Sequence, residues 1–281
     1  MITVVIFGIF GLIVGSFLNV LIIRHGVRSV GGRSTCMACG TQLEWLDMIP
    51  VFSWILLYGK CRRCYAHISP QYPLVEATTA LLFALIGYSV PSTAYPYALP
   101  LIVVYLAIAA LLVAIAVYDI RHTIIPDTWV YMFGILAFVS TVLHGLPNNS
   151  AWIEFLFAGP IAASPLFFLW LVSGGRWMGL GDAKLALGIG WLLGPILGIT
   201  AVFFAFVIGA LVSVGILLPL PHLIRFLGIT SLDKLHVGFT MRSEIPFGPF
   251  LIFSCIIIWL SILYDVNISY GFGPLLLLSF S

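Results

Sequence analysis

Apolar residues follow one another along this chain in long runs, broken by short polar or glycine- and proline-containing connections. Eight runs stand out, at residues 2–23, 73–90, 97–118, 128–146, 151–173, 182–193, 196–220 and 246–263. Most reach the ~17 to 25 residues that a helix needs to cross a bilayer. The sixth is short, and is expected to be half-buried or to extend backwards through the glycine-rich turn before it. The pattern predicts an all-α polytopic membrane protein of about eight transmembrane helices.

Composition agrees with the pattern. With 62% hydrophobic and 8% charged residues, the chain is no soluble globule of average make-up. A net charge of +2 gives no indication of a nucleic-acid partner, so the informative quantity is where the charges lie. Arg24, Arg28, Arg33, Lys60, Arg62 and Arg63 fall between the first two runs and Arg121 between the third and fourth. Arg176 and Lys184 flank the fifth-to-sixth turn, and Arg225, Lys234 and Arg242 lie between the seventh and eighth. These are all 12 Lys and Arg, and eight spans put every one of them on the same side. The positive-inside rule makes that side cytoplasmic, with both termini extracytoplasmic. The first run lacks a basic start and a small-residue cleavage site, so it reads as a retained anchor rather than a signal peptide.

The one sizeable polar stretch, residues 24–72, carries Cys36-x-x-Cys39 and Cys61-x-x-Cys64. Two such pairs, 21 residues apart, have the spacing of a four-thiolate zinc ribbon. A segment this small buries too little core to stand alone, which suits a metal staple. Two disulfides or a thiol redox pair are the alternatives, and cytoplasmic placement opposes them. Residues 47–60, between the pairs, are largely apolar and suit a position against the bilayer surface. Cys255, in the last run, reads as a core thiol.

Two aspartates remain conspicuous. Asp119 ends the third run, where the helix dipole disfavours an anion. Asp182 follows Gly179-Leu180-Gly181, whose glycines let a peptide backbone come close; taken alone, it is equally well an N-cap. An ionisable group at a membrane boundary is a functional hypothesis with a partner to be named, and here each aspartate is the other's. Two adjacent carboxyls cannot both ionise, so one can pull a proton from water while the other protonates a carbonyl oxygen, the chemistry of an aspartic protease. Asp127, after Pro126, reads as an N-cap, and Lys184 as a snorkelling cation that could tune the pair. Glu76 opens the second span, either favouring the helix dipole or facing a cationic ligand. In the first run Gly15, Ser16 and Asn19 suit close helix packing, residues 221–242 suit an interfacial helix, and Pro246-Phe247-Gly248-Pro249 suits irregular backbone lining a cavity.

Taken together, these residues resemble the bacterial type IV prepilin peptidases, or leader peptidase/N-methyltransferases. The likeness runs in order through the first-helix motif at residues 15–20, the two Cys pairs flanking residues 47–60, and Tyr72-Pro73-Leu74-Val75-Glu76. It continues through Asp119-x6-Pro126-Asp127, Gly181-Asp182-x-Lys184-Leu185 and the final-helix motif at residues 245–250. Tyr118-Asp119 with Gly179-Leu180-Gly181-Asp182 is also similar to the wider GxGD intramembrane aspartyl proteases, which include presenilin. The resemblance implies that Asp119 and Asp182 are catalytic, supported by Gly179, Gly181, Lys184 and Asp127. The implied substrate is a type IV prepilin or pseudopilin, whose short basic leader is removed at the cytoplasmic face of the bacterial inner membrane. It further implies methylation of the new N-terminus from S-adenosylmethionine, with Gly59, Lys60 and Glu76 as candidate residues. The sequence departs from the family pattern at Met37-Ala38, where a proline is frequent, and in the short link before Cys36.

The implied organisation is a first helix at 1–23, a four-cysteine zinc region at 24–72, a seven-helix protease core at 73–265 and an extracytoplasmic tail at 266–281. Glu44, Asp47, Glu76, Asp233 and Glu244 are the acids expected to receive a basic leader. The rival readings are a proton-coupled transporter using the same aspartates, an assembly factor docking partners through its zinc ribbon, and a peptidase without methyl transfer. Against the transporter, the acids lie near one face and no inverted repeat is visible.

Overall fold

A computed structural model describes residues 2–27, 29, 31–89, 98–144, 151–217 and 246–264. These residues are mostly helical and contain no strands, only two isolated bridges, Thr35 with Gln42 and Lys60 with His67. The long helices are α1 (Ile2–Arg24), α3 (Gln71–Ser89), α4 (Ala98–His122), α5 (Asp127–His144) and α6 (Ala151–Ser173). They are followed by α7 (Leu180–Leu193), α8 (Pro195–Val212) and α9 (Gly248–Leu263). A 3-10 turn (Trp45–Met48) and the short α2 (Phe52–Leu56) sit between α1 and α3, and α8 passes into a π turn at Ser213–Leu217. The expected interfacial helix at 221–242, with Arg225, Asp233, Lys234 and Arg242, lies outside the described residues, as do Arg28, Glu244 and the tail.

Among the described residues five helices are long and apolar enough to cross a membrane: Ile2–Arg24, Gln71–Ser89, Leu99–His122, Trp152–Ser173 and Pro195–Gly215. Asp127–Leu143 and Gly248–Leu263 are apolar but shorter, and α7 has 14 residues, beginning at Leu180 rather than Asp182. The outer faces of these helices are themselves apolar. On α1, Val5, Ile6, Ile9, Ile13 and Phe17 are exposed, the surface of a helix that meets lipid rather than water.

The chain divides into two compact units. The first runs to Val117 and adds Val142–His144 and the chain from Leu260. In it, α1 packs on α3 along a face of Gly11, Gly15, Leu18, Asn19 and Ile22. A Cβ at Gly11 would stand 2.6 Å from Ala80 Cα, and one at Gly15 2.7 Å from Glu76 Cα, so the helices meet backbone to backbone. Asn19 closes the pair, its Nδ2 donating to Tyr72 O at 3.2 Å.

The second unit comprises Tyr118–Thr141 and Gly145–Trp259. The short α7 is its buried centre, packed against α6 and α8. Glycines make that possible. A Cβ at Gly190 would overlap Ala158 O, one at Gly188 would meet the Phe133 ring, and Gly198 abuts Gly190. Thr141 Oγ1 donates to Trp191 O at 2.9 Å, fixing α5 against the C-terminal end of α7.

Candidate active site

Asp119 and Asp182 both belong to the second unit, where each is set at a helix end. Asp119 lies in the last turn of α4, which stops at His122; Thr123 N–H donates to Asp119 O at 2.7 Å with Thr123 left-handed at φ 53°. Asp182 lies in the first turn of α7, whose cap residue is Gly179. Both are buried, at 4% and 8% exposure, and close enough for their charges to interact.

Each carboxyl takes one backbone donor from a glycine. Gly248 N–H, at the start of α9, donates to Asp119 Oδ2 at 3.1 Å. The Gly179 backbone hydrogen-bonds Asp182, the back-bond by which an acid in the first turn closes a helix start. Asp182 is therefore not the N-cap itself, and that local role engages only part of its carboxyl: Oδ1 is buried with no hydrogen-bond partner among the described residues. Leaving a buried carboxyl oxygen unsatisfied costs stability, so this oxygen is open to a partner from outside the described residues.

Gly248 is also a steric requirement: a Cβ there would stand 2.5 Å from Asp119 Oδ2, whereas one at Gly179 would make only ordinary contact, 3.4 Å from Asp182 Oδ2. Ile125, from the α4–α5 connection, fills the space between the two helix starts. Its side chain would lie 3.1 Å from a Cβ at Gly181 and 3.2 Å from one at Gly248. Nothing in the local sequence marks Ile125, because one more isoleucine in an apolar chain carries no signal.

Asp127 and Lys184 form an ion pair, Lys184 Nζ donating to Asp127 Oδ1 at 2.7 Å, with Nζ 5.4 Å from the centre of the Tyr131 ring. The N-cap reading of Asp127 is corrected: α5 starts on Asp127 itself, and Pro126 O accepts from Trp129 and Val130 N–H. The pair joins the starts of α5 and α7, with Lys184 two residues beyond Asp182.

In the first unit the four thiols of Cys36, Cys39, Cys61 and Cys64 converge, every Sγ within 4.8 Å of the others and Cys36 Sγ 3.8 Å from Cys64 Sγ. None is disulfide-bonded. A tetrahedron of sulfurs around zinc at ~2.3 Å requires edges of roughly 3.8 Å, so the four thiols fit a metal ion. The two CxxC turns repeat one another. Cys36 N–H donates to Thr41 O at 2.8 Å and Cys61 N–H to Ala66 O at 2.9 Å. The residue after each second cysteine is left-handed, Gly40 at φ 69° and Tyr65 at φ 57°. Thr41 stands beside Cys39, Oγ1 3.3 Å from Sγ; hydrogen bonds from its hydroxyl and then its backbone lower the thiol to about 6.

A cavity of about 400 Å³ opens beside the second turn, lined by Leu57, Tyr58, Lys60, Cys61, Arg62 and Tyr65. Lys60 therefore faces a cavity, and Gly59 is left-handed at φ 64° with the Trp54 ring beneath it. Glu76 is elsewhere. It sits inside α3 rather than at its start, is buried, and accepts Val51 N–H at 2.7 Å on Oε2, so the helix-start dipole does not account for it. The other described acids expected to meet a basic leader are also engaged: Arg62 Nε donates to Asp47 Oδ1 at 2.9 Å, and Arg63 lies 3.7 Å from Glu44.

Two family models match the chain, the Bacterial Peptidase A24 N-terminal domain at residues 9–90 and the Type IV leader peptidase family at residues 106–214. A prepilin leader peptidase/N-methyltransferase of Dichelobacter nodosus is 29% identical over 95% of this chain and 93% of its own. One of the same name from Aeromonas hydrophila is 30% identical over 93% and 90%, and one from Bacillus subtilis 34% identical over 72% and 79%. No solved structure matches the chain.

Proposed function

Because the chain belongs to the type IV leader peptidase family, enzymes that join aspartic peptidase and N-methyltransferase activities, we propose that Asp119 and Asp182 are its catalytic pair. The observation that carries this reading is the buried, unpartnered Oδ1 of Asp182 close to a second buried carboxyl. With one proton shared between them, one carboxylate takes a proton from water as its oxygen attacks the scissile carbonyl. The other, protonated, donates to the carbonyl oxygen; the pair then returns a proton to the leaving amine. Gly248, Gly179 and Ile125 hold the carboxyls, and the Lys184–Asp127 pair holds the α7 start that presents Asp182.

The substrate is a prepilin or pseudopilin. Its apolar helix lies in the bilayer beside eight spans, made of the five long helices with the shorter α5, α7 and α9. The basic connections face the cytoplasm and both termini lie outside. Zinc, held by the four cysteines, staples residues 24–72. S-adenosylmethionine supplies an electrophilic methyl group when bound. The cavity of Tyr58, Lys60, Arg62 and Tyr65 suits it: the cations match a carboxylate and the tyrosines match an adenine face.

Incubating purified protein in lipid with a full-length prepilin and reading intact masses tests the peptidase reading. Leader loss that disappears in Asp119→Asn supports it; undiminished cleavage by that variant removes Asp119 from the chemistry.

A further inference from the structure

We propose that the uncharged stretch between Asp47 and Lys60 is a lipid-facing anchor that inserts into the cytoplasmic leaflet and lays the four-cysteine region on the membrane. The inference rests on the reading of α3 as a span that starts at the cytoplasmic face.

The Val51–Glu76 hydrogen bond sets the depth. Val51 N–H donates to Glu76 Oε2 at 2.7 Å, and Glu76 is buried among the helices, 6% exposed. Five residues separate Glu76 from the first residue of α3, Gln71, which is roughly 8 Å of rise at ~1.5 Å per residue. The 19 residues of α3 span about 28 Å, close to the ~30 Å of a hydrocarbon core. A backbone turn of the polar insertion thus reaches well below the level at which α3 enters the bilayer. Non-helical backbone survives at such depth only where its polar groups are met by protein, and the Glu76 carboxylate meets this one.

The surroundings of that turn are what a lipid surface would select. No charged residue occurs from Met48 to Gly59. Ile49, Phe52, Ile55 and Leu56 are 37, 61, 57 and 75% exposed, a cluster that would be an aggregation site in water. Phe52 is the next residue to Val51, and α2 holds Ile55 and Leu56 within about 6 Å of rise from it. The stretch is fastened at its far end too: Trp54 Nε1 donates to Ile68 O at 3.1 Å, and Ile68 N–H to Gly59 O at 2.8 Å, just before α3. The apolar cluster is therefore tied at one end to α3 and at the other to the residues just before it, and on the surface of α3 itself Leu74 and Leu81 are exposed. Such an anchor would hold Lys60 and its cavity at the membrane surface, where a substrate's new N-terminus emerges.

The test uses the full-length, zinc-loaded protein in phospholipid nanodiscs and a membrane-impermeant maleimide, which reacts only with a thiolate in water. Phe52→Cys and Leu56→Cys are compared with Arg33→Cys, an exposed site outside the stretch, and Leu81→Cys, on the lipid face of α3. The background of the unsubstituted chain is subtracted, and zinc content reports folding. The anchor requires both thiols to react at least about tenfold more slowly than Arg33→Cys, near the rate of Leu81→Cys. Reaction of either exposed site at the Arg33→Cys rate, with Leu81→Cys still protected, overturns the anchor and leaves the span standing. Reaction of Leu81→Cys at the aqueous rate overturns the span and the anchor with it.

Discussion

The backbone N–H of Gly248 donates to Asp119 Oδ2 at 3.1 Å, joining the start of α9 to the end of α4 across 129 residues of sequence. This contact explains why a glycine stands between two prolines at the head of a hydrophobic helix. The helix start supplies a donor, and only a residue without a side chain lets that donor reach the carboxyl.

Gly248→Ala places a methyl 2.5 Å from Oδ2, so the carboxyl must move. A displacement of about 1 Å in a catalytic group costs roughly 100-fold in rate, and that loss of cleavage is expected here, with zinc content unchanged. Single-turnover cleavage of a prepilin measures it.

Lys184→Met removes the ion pair to Asp127. Both partners are partly exposed, so the pair contributes at most about 1 kcal/mol to stability and the melting temperature should barely move. Cleavage should nevertheless fall about tenfold, because the start of α7 loses its tie to α5. Equal loss in Asp127→Asn and in the double variant, read as kcat and KM, would show that the two residues act as one unit.

Zinc should be held at one ion per four-cysteine site and released as pH falls, because the ligands are thiolates and protons compete for them. Cys39 lies at about 6, below an ordinary thiol, chiefly through the Thr41 hydroxyl. Its thiolate is thus favoured above that pH and lost below it. Thr41→Val removes the first of these hydrogen bonds, raises the thiol and shifts zinc release to higher pH, which a chromophoric chelator follows directly. An unmoved release curve would mean that Thr41 does not tune the site.

Val51 has φ 62° with ψ −50°, the centre of a tight γ-turn closed by Phe52 N–H on Pro50 O and costly for a β-branched residue, and its own N–H is met by the Glu76 carboxylate. Val51→Gly should relieve about 1 kcal/mol of that cost and raise the melting temperature. Glu76→Ala should lower it by leaving the Val51 N–H unpaired. Thermal unfolding in lipid compares the two.

The helices were legible because a bilayer demands long apolar runs, and the cysteine cluster because metal geometry fixes ligand spacing. Asp119 and Asp182 were legible as charges out of place. What the sequence withheld is tertiary. Glu76 looks like a helix-start acid until Val51 is found on it, and Asp127 looks like an N-cap until Lys184 is found 57 residues away. Ile125 and the donor at Gly248 are set by packing between distant helix ends, which no local pattern encodes.

The central claim is met most directly by presenting Asp182→Asn with two substrates in the presence of S-adenosylmethionine: a full-length prepilin and a peptide already ending at the mature N-terminus. Intact mass spectrometry reads both. The account expects the leader to stay on the first while the second still gains one methyl group, because Asp182 serves the peptidase alone. Leader removal at the unsubstituted rate would contradict it.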